Sequence, residues 1–137
     1  IHEVLTLASI ADLEGVKTSD RKLIVGVFQN RLKKGMNLGS DVTTYYAFNE
    51  KMDKDLTSEM FNKYNPYNTR SSEMAGKLPV GPICNPSKDS ILASINPTSS
   101  DYYYFVADKN GTVYYTKTSS EHTAKVKELK ENGDWIW

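Results

Sequence analysis

Across residues 2–14, Leu7, Ile10 and Ala11 recur at helical spacing, and Glu14 continues the same face. Gly15 is a natural stop for that helix. Thr18, Ser19 and Asp20 are cap residues for a second helix, which carries Leu23, Val27, Phe28, Arg31 and Leu32 along one side. It is expected to run to about Lys34, with Lys33 and Lys34 at its negative end and Gly35 beyond. The stretch 36–56 is less regular and reads as a loop leading into a short helix around Thr43–Phe48. Thr57 opens another short helix. Pro66 keeps Asn65 out of the helical region, so Asn65-Pro-Tyr-Asn-Thr69 is irregular. Leu78-Pro-Val-Gly-Pro-Ile-Cys-Asn-Pro86 reads as an extended loop because of its prolines. Ser87 then caps a helix to Ile95, which Pro97 ends. Aromatic and β-branched runs follow at Tyr102–Ala107 and Thr112–Thr116, with Asn110-Gly111 predicting a type I′ hairpin turn between them. Thr118-x-x-Glu121 is a capping box for a last helix to about Asn132, before Gly133. The class is α+β, a helical core with a small β-hairpin, in one unit spanning 1–137.

Composition narrows the function classes. Lys+Arg and Asp+Glu are both 17, so the formal net charge is zero, and neither nucleic acid nor an anionic lipid surface is favoured as a partner. No run of about 18 apolar residues is present to span a membrane, and no signal-peptide pattern is seen. Ile1 opens directly into a helical pattern, which reads as a boundary inside a longer protein. The one cysteine, Cys84, allows no internal disulfide, and His2 and His122 lack metal-ligand spacing. No metal and no cofactor is expected. Nine tyrosines exceed what a core of this size needs; a flat face with a polar tip suits a sugar ring, although a Tyr-rich hairpin accounts for about half of them.

Glu14 is the first candidate for chemistry. An acid on an apolar stripe loses hydration, its charged form is disfavoured, and its pKa rises toward the value a general acid needs. An interhelical ion pair with Arg21 or Arg31 is the competing reading. Asp12, two residues away, points elsewhere and is expected to be solvated. Asp41 is a second carboxylate, in Gly39-Ser-Asp-Val-Thr-Thr44; it can pair with Glu14 as in an ordinary glycosidase or serve as a helix cap. Asn65, Tyr67, Asn68 and Thr69 gather hydrogen-bonding groups around a ring, and Asn85 and Asn96 each precede a proline; these suit a carbohydrate subsite or ordinary turns. There is no G-x-S-x-G elbow, and nothing local pairs Cys84 with His122. Asn110-Gly-Thr112 matches a glycosylation acceptor, read here as chance inside a tight turn.

Ordered blocks along the whole chain carry a resemblance. Leu5-Thr-Leu-Ala-Ser-Ile-Ala-Asp-Leu-Glu14 and Val27-Phe-Gln-Asn-Arg-Leu32 are followed by Ser40-Asp-Val-Thr-Thr-Tyr-Tyr46 and Asn65–Thr69. Leu78–Pro86, Tyr102-Tyr-Tyr-Phe-Val-Ala-Asp108 and Glu121-His122 complete the order. Together they resemble the YceG-like endolytic murein transglycosylases. The resemblance implies cleavage of the β-1,4 bond between N-acetylmuramic acid and N-acetylglucosamine without water, leaving 1,6-anhydro-muramyl ends. It places the family's Glu-x-Glu pair on Asp12 and Glu14, with Glu14 as the catalytic acid. Asn30, Ser40, Asp41, Thr43, Tyr46, Tyr67, Asn68, Thr69, Pro79 and Asn85 are the candidate substrate-binding positions on this reading. Val80, Ser87 and Thr123 depart from residues frequent in the family (proline, glycine and asparagine), which bears on fine preference rather than reaction class.

The implied partners are peptidoglycan strands and, further, cell-wall synthesis proteins. The implied location is the outer face of the bacterial cytoplasmic membrane, reached through an N-terminal membrane helix that family members carry, often with a LysM-like domain; neither lies in this chain. A non-catalytic peptidoglycan-binding module and a wall-synthesis scaffold are the alternatives.

Overall fold

The structure is a computed structural model that describes residues 1–135; positions 136 and 137 of the expected 1–137 unit lie outside the described residues. The described residues form α1 (His2–Glu14), α2 (Thr18–Lys33), α3 (Asp41–Ala47), α4 (Ser58–Asn62), a 3₁₀ turn (Ser72–Met74), α5 (Lys88–Ile95), the hairpin β1 (Tyr104–Ala107) and β2 (Val113–Thr116), and α6 (Ser119–Glu131). The class is α+β, as the periodicity predicts.

The core is made where α1 and α2 pack on each other, on α5 and on the hairpin. Leu7, Ile10, Ala11, Ile24, Val25 and Phe28 meet Leu38, Val42 and Ile83 there. Phe28 reaches the hairpin through an edge-on contact with Phe105 at 5.8 Å. The buried set is wider than one stripe. Thr6, Ala8 and Ser9 are buried on α1, and Gly26 on α2, because neighbours enclose these helices on several sides. At Gly26 a Cβ would stand 2.3 Å from the Thr98 carbonyl oxygen, so only glycine lets the chain leaving α5 cross α2 this closely. Thr98 N–H donates to Lys22 O across the same crossing at 3.2 Å.

The starts of α4, α5 and α6 follow their caps, but α2 begins after Lys17 with no side-chain cap, so Thr18, Ser19 and Asp20 are first-turn residues rather than its cap. Ser87 Oγ accepts from Ser90 N–H, and Thr118 and Glu121 form the expected reciprocal box. Helix α3 begins at Asp41, two residues earlier than expected, so Asp41 is a first-turn acid rather than a cap.

The hairpin turn is a correction. A type I′ turn needs positive φ at both central residues, yet only Gly111 of the pair has it, at 85°. Gly111 N–H donates to Asp108 O at 3.0 Å and Asp108 N–H to Thr112 O at 2.9 Å, a longer loop closed by a left-handed glycine. The Asp108 carboxylate explains the choice. It accepts from Asn110 N–H and Thr112 N–H, each at 2.9 Å, and from the Tyr114 hydroxyl at 3.1 Å.

Candidate active site

Glu14 is the last residue of α1, and Gly15 N–H closes the helix on Ala11 O at 3.0 Å. Its side chain lines a groove of about 450 Å³ together with Leu13, Phe28, Arg31, Leu38, Asp41, Val42, Tyr45, Arg70, Val106, His122 and Trp135. The carboxyl makes no ion pair among the described residues. Arg21 instead donates Nε–H to Gly15 O at 2.9 Å, and Arg31 donates only to main-chain carbonyls, so neither arginine answers Glu14. Burial among the apolar groove walls pushes its pKa up to about 7; the negative charge of Asp41 adds to the rise, and the Ser40 hydroxyl opposes it. That hydroxyl has no other partner among the described residues.

The groove also holds two cations and an imidazole. Arg70 pairs with Asp41 and stacks its guanidinium 4.2 Å over the Phe61 ring. Arg31 donates to Tyr103 O, Asn37 O and Leu38 O at 2.6, 3.0 and 3.0 Å, and lies 4.8 Å over the Tyr104 ring. His122 stacks on that same ring at 5.4 Å. Burial, aided by the Arg31 charge, lowers the His122 pKa, so the ring is neutral at neutral pH. Its Nδ1 is enclosed without a partner among the described residues. A buried N–H left unmade costs more than a lone pair left unmade, which favours the tautomer with the proton on Nε2.

The sequence-marked binding residues separate into two groups. Asp41 lies in the Glu14 groove. Tyr46 and Tyr67, edge-on at 4.9 Å, line a neighbouring, more open cleft of about 560 Å³ with Asn65; Tyr45 faces both hollows. Asn85 is exposed on the 77–86 segment, which docks on α1 through Ile83 N–H to Ser9 Oγ at 3.0 Å rather than lining the groove.

Four of the rest are corrections: the side-chain polar groups of Asn30, Thr43, Asn68 and Thr69 are already occupied inside the protein, whereas the buried Ser40 hydroxyl is not. Thr43, Asn68 and Thr69 are wholly buried. Asn68 Oδ1 accepts from Thr44 Oγ1 at 2.7 Å and Arg70 N–H at 3.2 Å, while its Nδ2 donates to Met60 O and Lys63 O at 2.9 and 2.8 Å. Thr43 and Thr69 hydrogen-bond each other at 2.7 Å, and Ser40 N–H donates to Thr69 Oγ1 at 2.9 Å. This knot fastens α3 to the 65–71 segment and so carries Asp41 and Arg70 into the groove. Asn30 Nδ2 bridges the carbonyls of Ser100 and Tyr102 at 2.9 and 2.8 Å. Pro79 is buried. Asp12 also differs from expectation: it is half-buried rather than solvated, accepting from Ser90 Oγ at 2.6 Å and Ser87 N–H at 3.2 Å.

Comparison with known proteins gives the family. The YceG-like family matches residues 1–128. The chain belongs to that family. Proteins named endolytic murein transglycosylase from Streptococcus pneumoniae (serotype 2, strain D39) and Bacillus subtilis (strain 168) are 42% and 41% identical to it over 134 and 128 residues, in each case 93% of this chain. The YceG-like chain spans 24% and 34% of those relatives' lengths. A crystal structure described as a yceG-like protein of Listeria monocytogenes superposes with a TM-score of 0.82 at 41% identity, over 90% of this chain and 39% of that one. Within this YceG-like fold, sequence reasoning missed Arg31, Arg70, His122 and Trp135 as groove residues. They come from α2, the 65–71 segment, α6 and the stretch after it. Arg31 carried a signal as a charge on the inner stripe of α2, and His122 as part of the Glu121-His122 block; Arg70 and Trp135 carried none.

Proposed function

We propose that this chain is the catalytic domain of an endolytic peptidoglycan lytic transglycosylase, with Glu14 as its one acid/base. The observation that carries this reading is a carboxyl group with a pKa of about 7 in a groove where no cation among the described residues pairs with it. Protonated Glu14 gives its proton to the leaving glycosidic oxygen. The carboxylate so formed takes the proton from the muramyl C6 hydroxyl as that oxygen attacks C1 of the same sugar. The C1–O bond to the next sugar breaks, a 1,6-anhydro ring forms, and the acid is restored. Intramolecular attack supplies the effective concentration that a bound water would otherwise have to match. No step requires a cofactor.

Asp41 keeps the groove electrostatically hostile to a charged Glu14 and holds Arg70 in place. The open cleft at Tyr46 and Tyr67 suits stacking of a further sugar ring. The names of the relatives support peptidoglycan as substrate. In the full-length protein we place the domain on the outer face of the bacterial cytoplasmic membrane, anchored by another segment, with cell-wall synthesis proteins as neighbours. Among the described residues no helix is long and apolar enough to cross a membrane.

Mass spectrometry of digested glycan strands tests the reaction, because anhydro ends are one water lighter than reducing ends. Anhydro ends that disappear with Glu14→Gln support it. Reducing ends alone would indicate a hydrolase that uses Asp41 to direct water. Binding and cellular function that survive Glu14→Gln unchanged would indicate a non-catalytic binding module.

A further inference from the structure

The Glu14 groove holds more positive charge than its own carboxylates answer. With Glu14 protonated and His122 neutral, the charged side chains lining it are Arg31, Arg70 and Asp41. The chain as a whole is balanced, at 17 basic and 17 acidic residues, so this excess is local. Arg31 is half-buried and has no acidic partner among the described residues. A guanidinium removed from water is costly unless it is paired. Here main-chain carbonyls hold Nε and Nη1 and leave Nη2 without an acceptor among the described residues. The fold goes to some length to keep it there. Gly39, at φ +66°, follows the Asn37 and Leu38 carbonyls that accept from this group, and a Cβ at that position would stand 2.9 Å from Arg31 Nη1.

Arg70 is near enough for its charge to act on Arg31, and it meets Asp41 through Nη1 alone. Two guanidinium forks with unused N–H groups, facing one groove, match the planar geometry of a carboxylate.

We propose that Arg31 and Arg70 form an anion subsite beside Glu14 that takes a carboxylate carried by the glycan strand. The inference rests on the transglycosylase reading and adds to it. In an alternating strand only the muramyl sugar bears an acid: its lactyl carboxylate when the strand is peptide-free, or the carboxylates of an attached stem peptide. A site that reads this charge selects which of the two alternating linkages comes to Glu14. Arg70 is the contact that ligand binding adjusts, because it is partly exposed and leans on exposed Asp41. Arg31 is the fixed contact.

The test measures binding and cleavage by the full-length protein on three strand preparations: peptide-free strands, the same strands with the lactyl carboxylate converted to an amide, and peptide-bearing strands. Affinity is measured in a Glu14→Gln background so that turnover does not interfere. Arg70→Gln is expected to weaken binding of peptide-free strands roughly ten-fold, about the size of one charge-assisted hydrogen bond, and to leave amidated strands unaffected. A loss confined to peptide-bearing strands supports the subsite with a stem-peptide carboxylate as its ligand. Arg31→Lys, which keeps the charge but not the fork, is expected to act in the same direction on the same strands. Equal effects of Arg70→Gln on acidic and amidated strands overturn the proposal, while anhydro ends from the otherwise wild-type protein leave the reaction itself standing. If neither acidic nor amidated strands bind and no anhydro ends form, the subsite and the reaction reading fall together.

Discussion

Two carboxylates leave the last turn of α1 two residues apart and meet opposite surroundings. Asp12 is turned toward the start of α5, where the Ser90 hydroxyl, the Ser87 N–H and, more distantly, Arg21 at 3.7 Å hold its charge. The hydrogen bond from Ser90 leads in keeping its pKa below the usual carboxylate range. A negative side chain at the N-terminus of α5 also complements the helix dipole. Glu14 is turned into the groove, receives no comparable donors, and is pushed the other way. The same functional group on the same helix is thus a structural anchor in one place and, in the proposed reaction, the proton source in the other. Hydrogen-bond donors decide between them, because a desolvated carboxylate without them prefers to be neutral.

The comparison can be broken most directly by exchanging the proton source for an amide. Glu14→Gln is expected to lower anhydro-end formation by about a hundred-fold or more, the range of a lost general acid/base. Its folded structure should persist, as checked by circular dichroism. A variant that retains most of the activity would remove Glu14 from the chemistry.

Asp12→Ala is expected to do the reverse. It should cost about 1–2 kcal/mol of stability through loss of the bonds to α5, read from denaturant midpoints. Activity per folded molecule should stay close to that of the unaltered chain.

The two acids also predict opposite pH dependences of stability. Glu14 has a folded pKa of about 7 against an ordinary 4.5, so the folded state binds its proton more tightly than the unfolded state does. Stability from this group is therefore lost as pH rises through that interval. Glu14→Gln should melt higher than wild type above pH 7 and match it near pH 4.5. Asp12, with a depressed folded pKa, contributes stability above its ordinary value of 3.8 and loses it as pH falls through the folded one. Thermal melts across the pH range check both signs.

The smallest expected effect is on the position of the pH–activity profile. Activity should fall as pH rises through about 7, where Glu14 gives up its proton. Asp41→Asn removes a charge that raises the Glu14 pKa and frees Arg70, so the falling limb should move to lower pH. An unmoved limb would mean that Asp41 does not sense Glu14.

Much of this was legible in the chain itself. The helices around Leu7–Ile10 and Ile24–Phe28, the caps at Ser87 and Thr118, and the aromatic strands are local outcomes of spacing and side-chain shape, which neighbours in sequence determine. The position of Glu14 on the apolar stripe was legible for the same reason, since helical geometry alone puts it beside Leu7 and Ile10. The turn at Asp108–Gly111 was misread because one carboxylate gathered amides that a dipeptide rule does not consider. Asn68, Thr69 and Thr43 looked like a sugar subsite because sequence shows which groups can hydrogen-bond, not which partners they have already found.

The groove was invisible for a deeper reason. Glu14, Arg31, Arg70 and His122 come from four separate segments, and whether a charge is paired, dry or open to a ligand depends on distances that only packing creates. Residue order by itself determined the elements and the acid's place on its helix. The tertiary structure decided that Asp12 would be satisfied and Glu14 would not, because desolvation and hydrogen bonding are properties of surroundings assembled from across the fold.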